Sequence, residues 1–333
     1  MSGPRTDLAA SLANRRVLVL GTTGFIGRWV AREASRAGAR VWAVARDGDR
    51  ARRIASAYGA EVTVAACDVL NEAALAAVVR DVRPEVTFNL VGYGVDRRET
   101  DADRAHAINV DLVRRLLPLV TAHGRATDWP GLHLVHTGSA LEYGAVGGHL
   151  SEDAVVNPTT VYGQTKLAAT QAVAESAEAG RLKAVTARLF TVYGPGEHQG
   201  RLLPSILAAR SLTSPVPMTN GLQQRDFTYV GDVAAGLIRA ALQPSAPWTI
   251  VNLATGRLHT VRAFVTEAEQ ALGLPPGRFL FGALPTRPEE MAHAEVTVAR
   301  ARQWLGWVPG TGIAEGVRAT DAFLSSLPNG DEP

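Results

Sequence analysis

The first half of the chain alternates short, almost continuous apolar runs with longer segments of helical period. RVLVL from Arg16, VWAVA from Val41, VTVAA from Val62, VTFNLV from Val86, LHLVH from Leu132 and AVTARLF from Ala184 carry almost no polar alternation. Strands buried on both faces have this pattern, whereas a strand with one wet face alternates. The Ala/Arg/Leu-rich segments between them suit crossover helices, so the pattern predicts a doubly wound α/β domain around a parallel sheet. After Leu189 the rhythm loosens. Gly and Pro gather in VYGPGEHQG, LTSPVPMTNG, LQPSAPW and LGLPPGRF, with helical segments GDVAAGLIRAAL and TVRAFVTEAEQALG between them. We therefore expect a first domain over 15–190, to which some later segments return, and a smaller α/β lobe over 191–326. Residues 1–14 and 327–333 are expected to be flexible ends. No internal repeat is visible.

Composition narrows the class. With 333 residues, 46% of them hydrophobic and 20% charged, the chain can bury a large core. A formal charge of +2 argues against nucleic acid or an anionic membrane as the main partner. Of 34 cationic residues only Lys166 and Lys183 are lysines, which makes a well-placed lysine informative. The single cysteine, Cys67, excludes an internal disulfide framework and reads as a buried structural thiol. No apolar run approaches bilayer length, and the N-terminus does not resemble a secretory signal, so a cytoplasmic protein is expected.

The strand RVLVL runs directly into GTTGFIG, which opens the segment RWVAREASRAGA. In a strand-to-helix turn, Gly21 permits the tight bend, Gly24 lets a diphosphate approach the backbone, and Gly27 lets the helix pack close on the strand. The loop therefore predicts a dinucleotide cofactor, with Phe25 and Ile26 in the helix's first turn beside it. A ribose-binding carboxylate is expected at the end of the second strand. Ala45 stands there and cannot accept a hydrogen bond, while Arg46 can pair with a 2′-phosphate, so NADP is favoured over NAD. NAD remains open, because Asp47 is adjacent.

VYGQTK places Tyr162 and Lys166 four residues apart, on one face of a helix that Pro158 and Thr160 suit as a start. A phenol of ordinary pKa near 10 is a poor base at neutral pH, and a neighbouring ammonium is expected to lower that value. Tyr162 could then exchange a proton with a hydroxyl or carbonyl while hydride moves to or from a nicotinamide. Ser139 could hold the same oxygen.

Together these motifs resemble the extended short-chain dehydrogenases/reductases, the NAD-dependent epimerases/dehydratases of nucleotide sugars. The resemblance runs from about Val17 to Ala319 and implies a Rossmann-type sheet domain with a C-terminal substrate lobe. By resemblance, Asp68 and Val69 match an adenine contact, and Leu90, Val91 and Gly92 match the strand end that passes the cofactor. Asn109 matches a helix asparagine of the cofactor site, and Ser139, Tyr162 and Lys166 match the catalytic triad. Arg225 of RDFTYV and Arg287 of TRPEE correspond to residues gripping a substrate diphosphate, which a bidentate guanidinium suits. Their other reading is an ion pair of Arg225 with Asp226 or Asp232 and a surface charge at Arg287. Thr191 stands where the family often has asparagine, which weakens one substrate contact. A homodimer through a four-helix bundle is also implied, but an alanine-rich helix face is equally compatible with ordinary core.

The residues after Ser139 bear on the reaction. The family's dehydratases carry an Asp-Glu pair there, its decarboxylases a glutamate two positions on, and its GDP-fucose-type enzymes a nearby cysteine. Here Ala140 and Leu141 carry no proton. Glu142 is read as a loop carboxylate facing solvent or pairing with an arginine, with an off-register acid as the other possibility. His136 and His198 are possible stand-ins for the missing acid but are read as structural, and no metal site is expected. What remains is hydride transfer with one proton at the same oxygen. An NADPH-dependent 4-ketoreductase of a 4-keto-6-deoxy sugar nucleotide is expected, with an NAD-retaining 4-epimerase as the alternative. A dinucleotide-sensing regulator is more remote, since Tyr162 and Lys166 argue for an enzyme.

Overall fold

The computed structural model describes residues 8, 10–96, 98–124, 128–144, 149–285 and 293–327. Its strands in chain order are β1 (Arg16–Leu20), β2 (Arg40–Ala45), β3 (Val62–Ala66), β4 (Val86–Asn89), β5 (Leu134–Ser139), β6 (His149–Leu150) and β7 (Ala184–Leu189). They continue with β8 (Thr191–Tyr193), β9 (Val216–Met218), β10 (Gln224–Tyr229), β11 (Ile250–Leu253), β12 (Leu258–Thr260), β13 (Phe279–Phe281) and β14 (Glu295–Val296). Seven of them form one parallel sheet in the order β11-β7-β5-β4-β1-β2-β3. This is the Rossmann arrangement, in which the order reverses between β1 and β4 and opens a crevice at their carboxyl ends.

Helices α1 (Phe25–Arg36), α2 (Gly48–Ala57), α3 (Glu72–Val82), α4 (Ala102–His106), α5 (Leu112–Gly124) and α6 (Val161–Glu178) cross over on the two faces. On one face α1 and the later helix Val230–Ala241 bury Trp29, Val30, Val233 and Leu237 against the sheet. On the other, α3, α5 and α6 bury Leu75, Val79, Leu116, Val120, Ala169 and Val173. Both faces are covered, which is why the strand runs lack alternation.

Two differences from the sequence reading concern this sheet. β11 was hidden in the loosened second half, where the apolar stretch of TIVNL follows closely on Pro247 and looks like one more loop. β5 begins at Leu134 and carries its pairing through to Ser139, opposite Leu189 of β7. The stretch expected to be flexible at the N-terminus also includes Leu12, which is fully buried and bonds through its N-H to the Ala37 carbonyl.

The remaining strands build the smaller lobe: a three-stranded sheet β12-β10-β8, and the parallel pairs β13-β9 and β14-β6. Helix Ile313–Ser326 returns to the first domain, where Phe323 packs on Trp29 of α1 and on Tyr58 at ring separations of 5.4 and 4.8 Å. Among the described residues no helix is long and apolar enough to cross a membrane.

Candidate active site

The crevice begins where β1 ends. Gly21 lies against the backbone of Leu90 and Val91, the first residues beyond β4, so the two strand ends expected to flank a cofactor do meet. A methyl group at Gly27 would stand 2.0 Å from the Gly21 carbonyl oxygen, so only glycine lets α1 start this close to β1. Gly24 is the N-cap of α1 and offers no side chain to the first turn, which contains Phe25, Ile26 and Gly27. The donors of that turn are therefore available to an anion. Arg28, unremarked in the sequence, steadies the loop from below: its Nη2 donates to the Thr23 carbonyl at 2.9 Å and its Nε to Gly24 at 3.2 Å. Thr22 ties the loop to β2 through a bond to the Val44 carbonyl.

At the end of β2, Ala45 is buried and Arg46 exposed. Asp47 caps α2, accepting from the Arg50 N-H at 2.9 Å, and that backbone bond holds its carboxyl below the usual range. Asp68 is exposed beyond β3, where its Oδ1 accepts from Leu70, and Val69 is half-buried beside it. Cys67 is buried and its thiol is pushed up by desolvation.

Beyond β4, Leu90 and Val91 are half-buried and Gly92 is exposed, leading into a loop that meets α6 at Tyr162. Asn109 pins that loop. It sits in a π-helical turn, Ala107–Asp111, between α4 and α5. Its amide donates to the Tyr93 carbonyl and to Thr165 of α6, both at 2.8 Å, and its Oδ1 accepts from the Tyr93 N-H at 3.0 Å. The amide thus positions the crevice wall from within the protein. Glu99 completes the loop by accepting from Gly94, which lies against the Tyr162 ring.

The turn that carries Ser139 follows β5. Ser139 caps a single 3₁₀ turn, Ala140–Glu142, and its Oγ accepts from the Leu141 N-H at 3.2 Å. Thr160 caps α6, as its sequence predicted, and puts Tyr162 and Lys166 on the face toward that turn. Gly163, between them, makes the approach possible: a methyl group there would lie 2.4 Å from the Leu141 carbonyl oxygen. The Ser139 side chain lies close enough to the Tyr162 phenol to favour its ionised form.

The electrostatics differ from the expectation for Tyr162. Desolvation pushes its phenol above the ordinary value of 10, with the Ser139 side chain and the Arg201 charge opposing and the Glu142 and Glu99 charges adding to the rise. Lys166, 2% exposed, is itself pulled down to about 8 by burial, with Glu142 opposing. Burial is the largest cause at both groups, so helical spacing of Tyr162 and Lys166 does not by itself lower the phenol.

Glu142 is a correction to its reading as a solvent-facing loop residue. It is fully buried and pairs with the equally buried Arg188 of β7 at 2.8 Å. Its other oxygen accepts from the Ser139 N-H at 2.7 Å and from Thr170 at 3.1 Å. The pairing with an arginine is present; the solvent is not. His136, on β5, is buried, faces the Asn89 amide at 3.1 Å, and is held well below its ordinary value by burial and by the Lys166 charge. His198 is exposed.

On the lobe side, Thr191 is half-buried at the start of β8 and Arg225 half-buried on β10. The two aspartates offered as partners of Arg225 are engaged elsewhere. Asp226 accepts from the N-H groups of Thr255, Gly256 and Arg257, and Asp232 from those of Gly310 and Thr311. Arg225 instead acts on the buried His293, lowered to about 4 chiefly by desolvation, a residue the sequence reading did not single out. Arg287 lies outside the described residues. Among the described residues no group of acidic, histidine or cysteine side chains is placed to hold a metal.

Comparison with known proteins places this architecture. The model of the NAD-dependent epimerase/dehydratase family matches residues 17–254. A dTDP-6-deoxy-L-talose 4-dehydrogenase (NAD(P)(+)) of Kitasatospora kifunensis is 31% identical, over 98% of this chain and 99% of its own. A dTDP-L-rhamnose 4-epimerase of Burkholderia thailandensis is 24% identical, over 96% and 98%. The solved structure of MoeE5 in complex with UDP-glucose and NAD is 27% identical and superposes with a TM-score of 0.77, covering 93% of this chain and 98% of that one. A match that spans the sheet from β1 to β11, together with a full-length relative above 30% identity, shows that the chain is an enzyme of the NAD-dependent epimerase/dehydratase family.

Proposed function

We propose that this enzyme is an NADPH-dependent 4-ketoreductase acting on a 4-keto-6-deoxy sugar carried on a nucleoside diphosphate. The observation that carries the reading is the lining of the turn after Ser139. Ala140 and Leu141 have no exchangeable proton, and the one adjacent carboxylate, Glu142, is held by Arg188, Thr170 and the Ser139 backbone. Nothing on that turn is free to remove a second proton, which elimination of water requires and ketone reduction does not. The 4-dehydrogenase relative supports the same chemistry, since oxidation of a 6-deoxy sugar at C4 is ketoreduction run backwards.

In this reading the glycine loop and the first turn of α1 hold the cofactor diphosphate, and Asp68, Val69 and Leu90–Gly92 line its adenine and nicotinamide ends. Bound NADPH supplies the hydride to C4. Ser139 orients the C4 oxygen, Tyr162 delivers the proton to it, and Lys166 supports that transfer as an ammonium. Thr191, Arg225 and Arg287 hold the nucleotide sugar. The NADP preference rests on Ala45 and Arg46, and on Asp47 being engaged as a helix cap. A homodimer paired through α5 and α6, acting in the cytoplasm, completes the proposal. Light scattering on the purified protein tests the first part.

A second reading, a 4-epimerase that retains NAD, is favoured by the NAD found with MoeE5 and by the 4-epimerase relative. One experiment separates them. Purified protein is offered NADPH and dTDP-4-keto-6-deoxyglucose, and the cofactor that copurifies is identified by mass. NADPH oxidation supports the ketoreductase. No oxidation, together with firmly held NAD and interconversion of C4 epimers, replaces it with the epimerase.

A further inference from the structure

Glu142 is the one fully buried carboxylate on the catalytic turn, and nothing in the proposed hydride transfer uses it. Its geometry is nonetheless directed at the reacting groups. Oε1 accepts from the backbone N-H of Ser139 at 2.7 Å, which fixes the strand end that presents the serine hydroxyl. The same oxygen accepts from Thr170 of α6 at 3.1 Å. Thr170 lies one helical turn beyond Lys166, so this bond ties the carboxylate to the face of α6 that carries the lysine. Oε2 takes the Arg188 Nε at 2.8 Å, and the Arg188 guanidinium in turn covers the Tyr143 ring at 4.5 Å. A single carboxylate therefore touches the serine's backbone, the lysine's helix and an arginine of β7.

We infer that Glu142 is a positioning residue for the reaction, serving as counter-charge to the Lys166 ammonium and as anchor of the Ser139 backbone. The inference deepens the proposed site and rests on its assignment, but not on which sugar is reduced. A buried amine surrounded by neutral groups gives up its proton. Among the described residues, Glu142 is the one carboxylate opposing that loss at Lys166, against the downward pull of desolvation. The other groups around the pair do not replace it. His136 on β5 is neutral, and Tyr162 on the same helix is protonated until the reaction demands otherwise. Glu99 and Arg201 face Tyr162 from the two covering loops with opposite signs. Arg188 pairs with the far carboxylate oxygen, Oε2, leaving Oε1 to Ser139 and Thr170.

The chain's two lysines make a direct test possible. Protein labelled with 15N-lysine gives two side-chain signals, assigned through Lys183→Arg, and each is followed against pH without substrate. In Glu142→Gln, which keeps an oxygen for the Ser139 N-H and removes the charge, the Lys166 midpoint is expected to fall by about one pH unit or more, with Lys183 unmoved. The alkaline limb of kcat moves with it. Glu142→Asp keeps the charge and is expected to retain the Lys166 midpoint, losing part of kcat because the shorter side chain slackens the Ser139 bond. A merely structural role lowers kcat evenly across pH and leaves both titrations where they were. An unmoved Lys166 midpoint in Glu142→Gln overturns the inference. Should that variant fail to fold because Arg188 is left buried and unpaired, the double variant Glu142→Gln/Arg188→Met removes both charges. Its expected fall in the Lys166 midpoint is in the same direction but smaller, because a positive charge leaves with the negative one, and an unmoved midpoint again counts against the inference. Because the titration is read without substrate, it stands apart from the ketoreductase experiment.

Discussion

The two sides of the crevice are built on opposite principles. After β1 the chain relies mainly on glycines that bring backbone against backbone, and the first turn of α1 has no side-chain cap. After β5 it uses little else, since Ser139, Glu142, Thr170, Lys166 and Arg188 are packed together with little or no solvent access. The first side tolerates only the absence of atoms. The second depends on the balance of charges within a low-dielectric space, where one uncompensated group is expensive.

Tests that break this contrast fall into an order of size. Tyr162→Phe removes the proposed proton donor and is expected to lower kcat by roughly 10²- to 10⁴-fold, with cofactor binding, read by fluorescence titration, unchanged. Arg188→Met strands the buried Glu142 carboxylate, and urea denaturation should show a loss of about 3–5 kcal/mol. Gly27→Ala places a methyl group against the Gly21 carbonyl. It should destabilise by about 1–3 kcal/mol and weaken cofactor binding more than substrate binding in calorimetry. The fourth test concerns sign. Lys166 holds its proton to about pH 8 in the folded protein and to its ordinary 10.5 when unfolded. Between these values the unfolded chain binds more protons, so the Lys166 contribution to stability rises with pH while activity falls. The difference between native protein and Lys166→Met in denaturation midpoint against pH reads it. A flat difference across that window means the amine is not depressed.

The same contrast explains what was legible in the sequence. Glycine spacing and β-branched runs are local, so the loop at Gly21–Gly27 and six of the seven strands could be read directly. β11 could not, because the apolar stretch between Pro247 and Thr255 is too short to stand out among Pro and Gly. Tyr162 and Lys166 were legible because four residues is a helical repeat. Gly163, which lets their helix touch the Ser139 turn, says nothing by itself, since its partner is a carbonyl more than twenty positions away. Glu142 looked like a loop residue because Arg188 and Thr170 are distant in sequence. The direction of the Tyr162 shift was misjudged for the same reason: spacing reports a neighbouring ammonium but not how much water burial removes.

Asn109 shows how far such a site depends on counting. A π-helical turn holds one more residue than the α-helical path it replaces, and Asn109 lies inside it. Deleting Val110, just after Asn109, would restore a regular helix without removing any polar side chain. It would also swing the residues before the deletion by about 100° around the axis. The amide that joins Tyr93 to Thr165 would then point away from both. Chain length at this one turn, rather than the chemistry of any side chain, decides whether the wall of the crevice is tied to the helix that carries Tyr162 and Lys166.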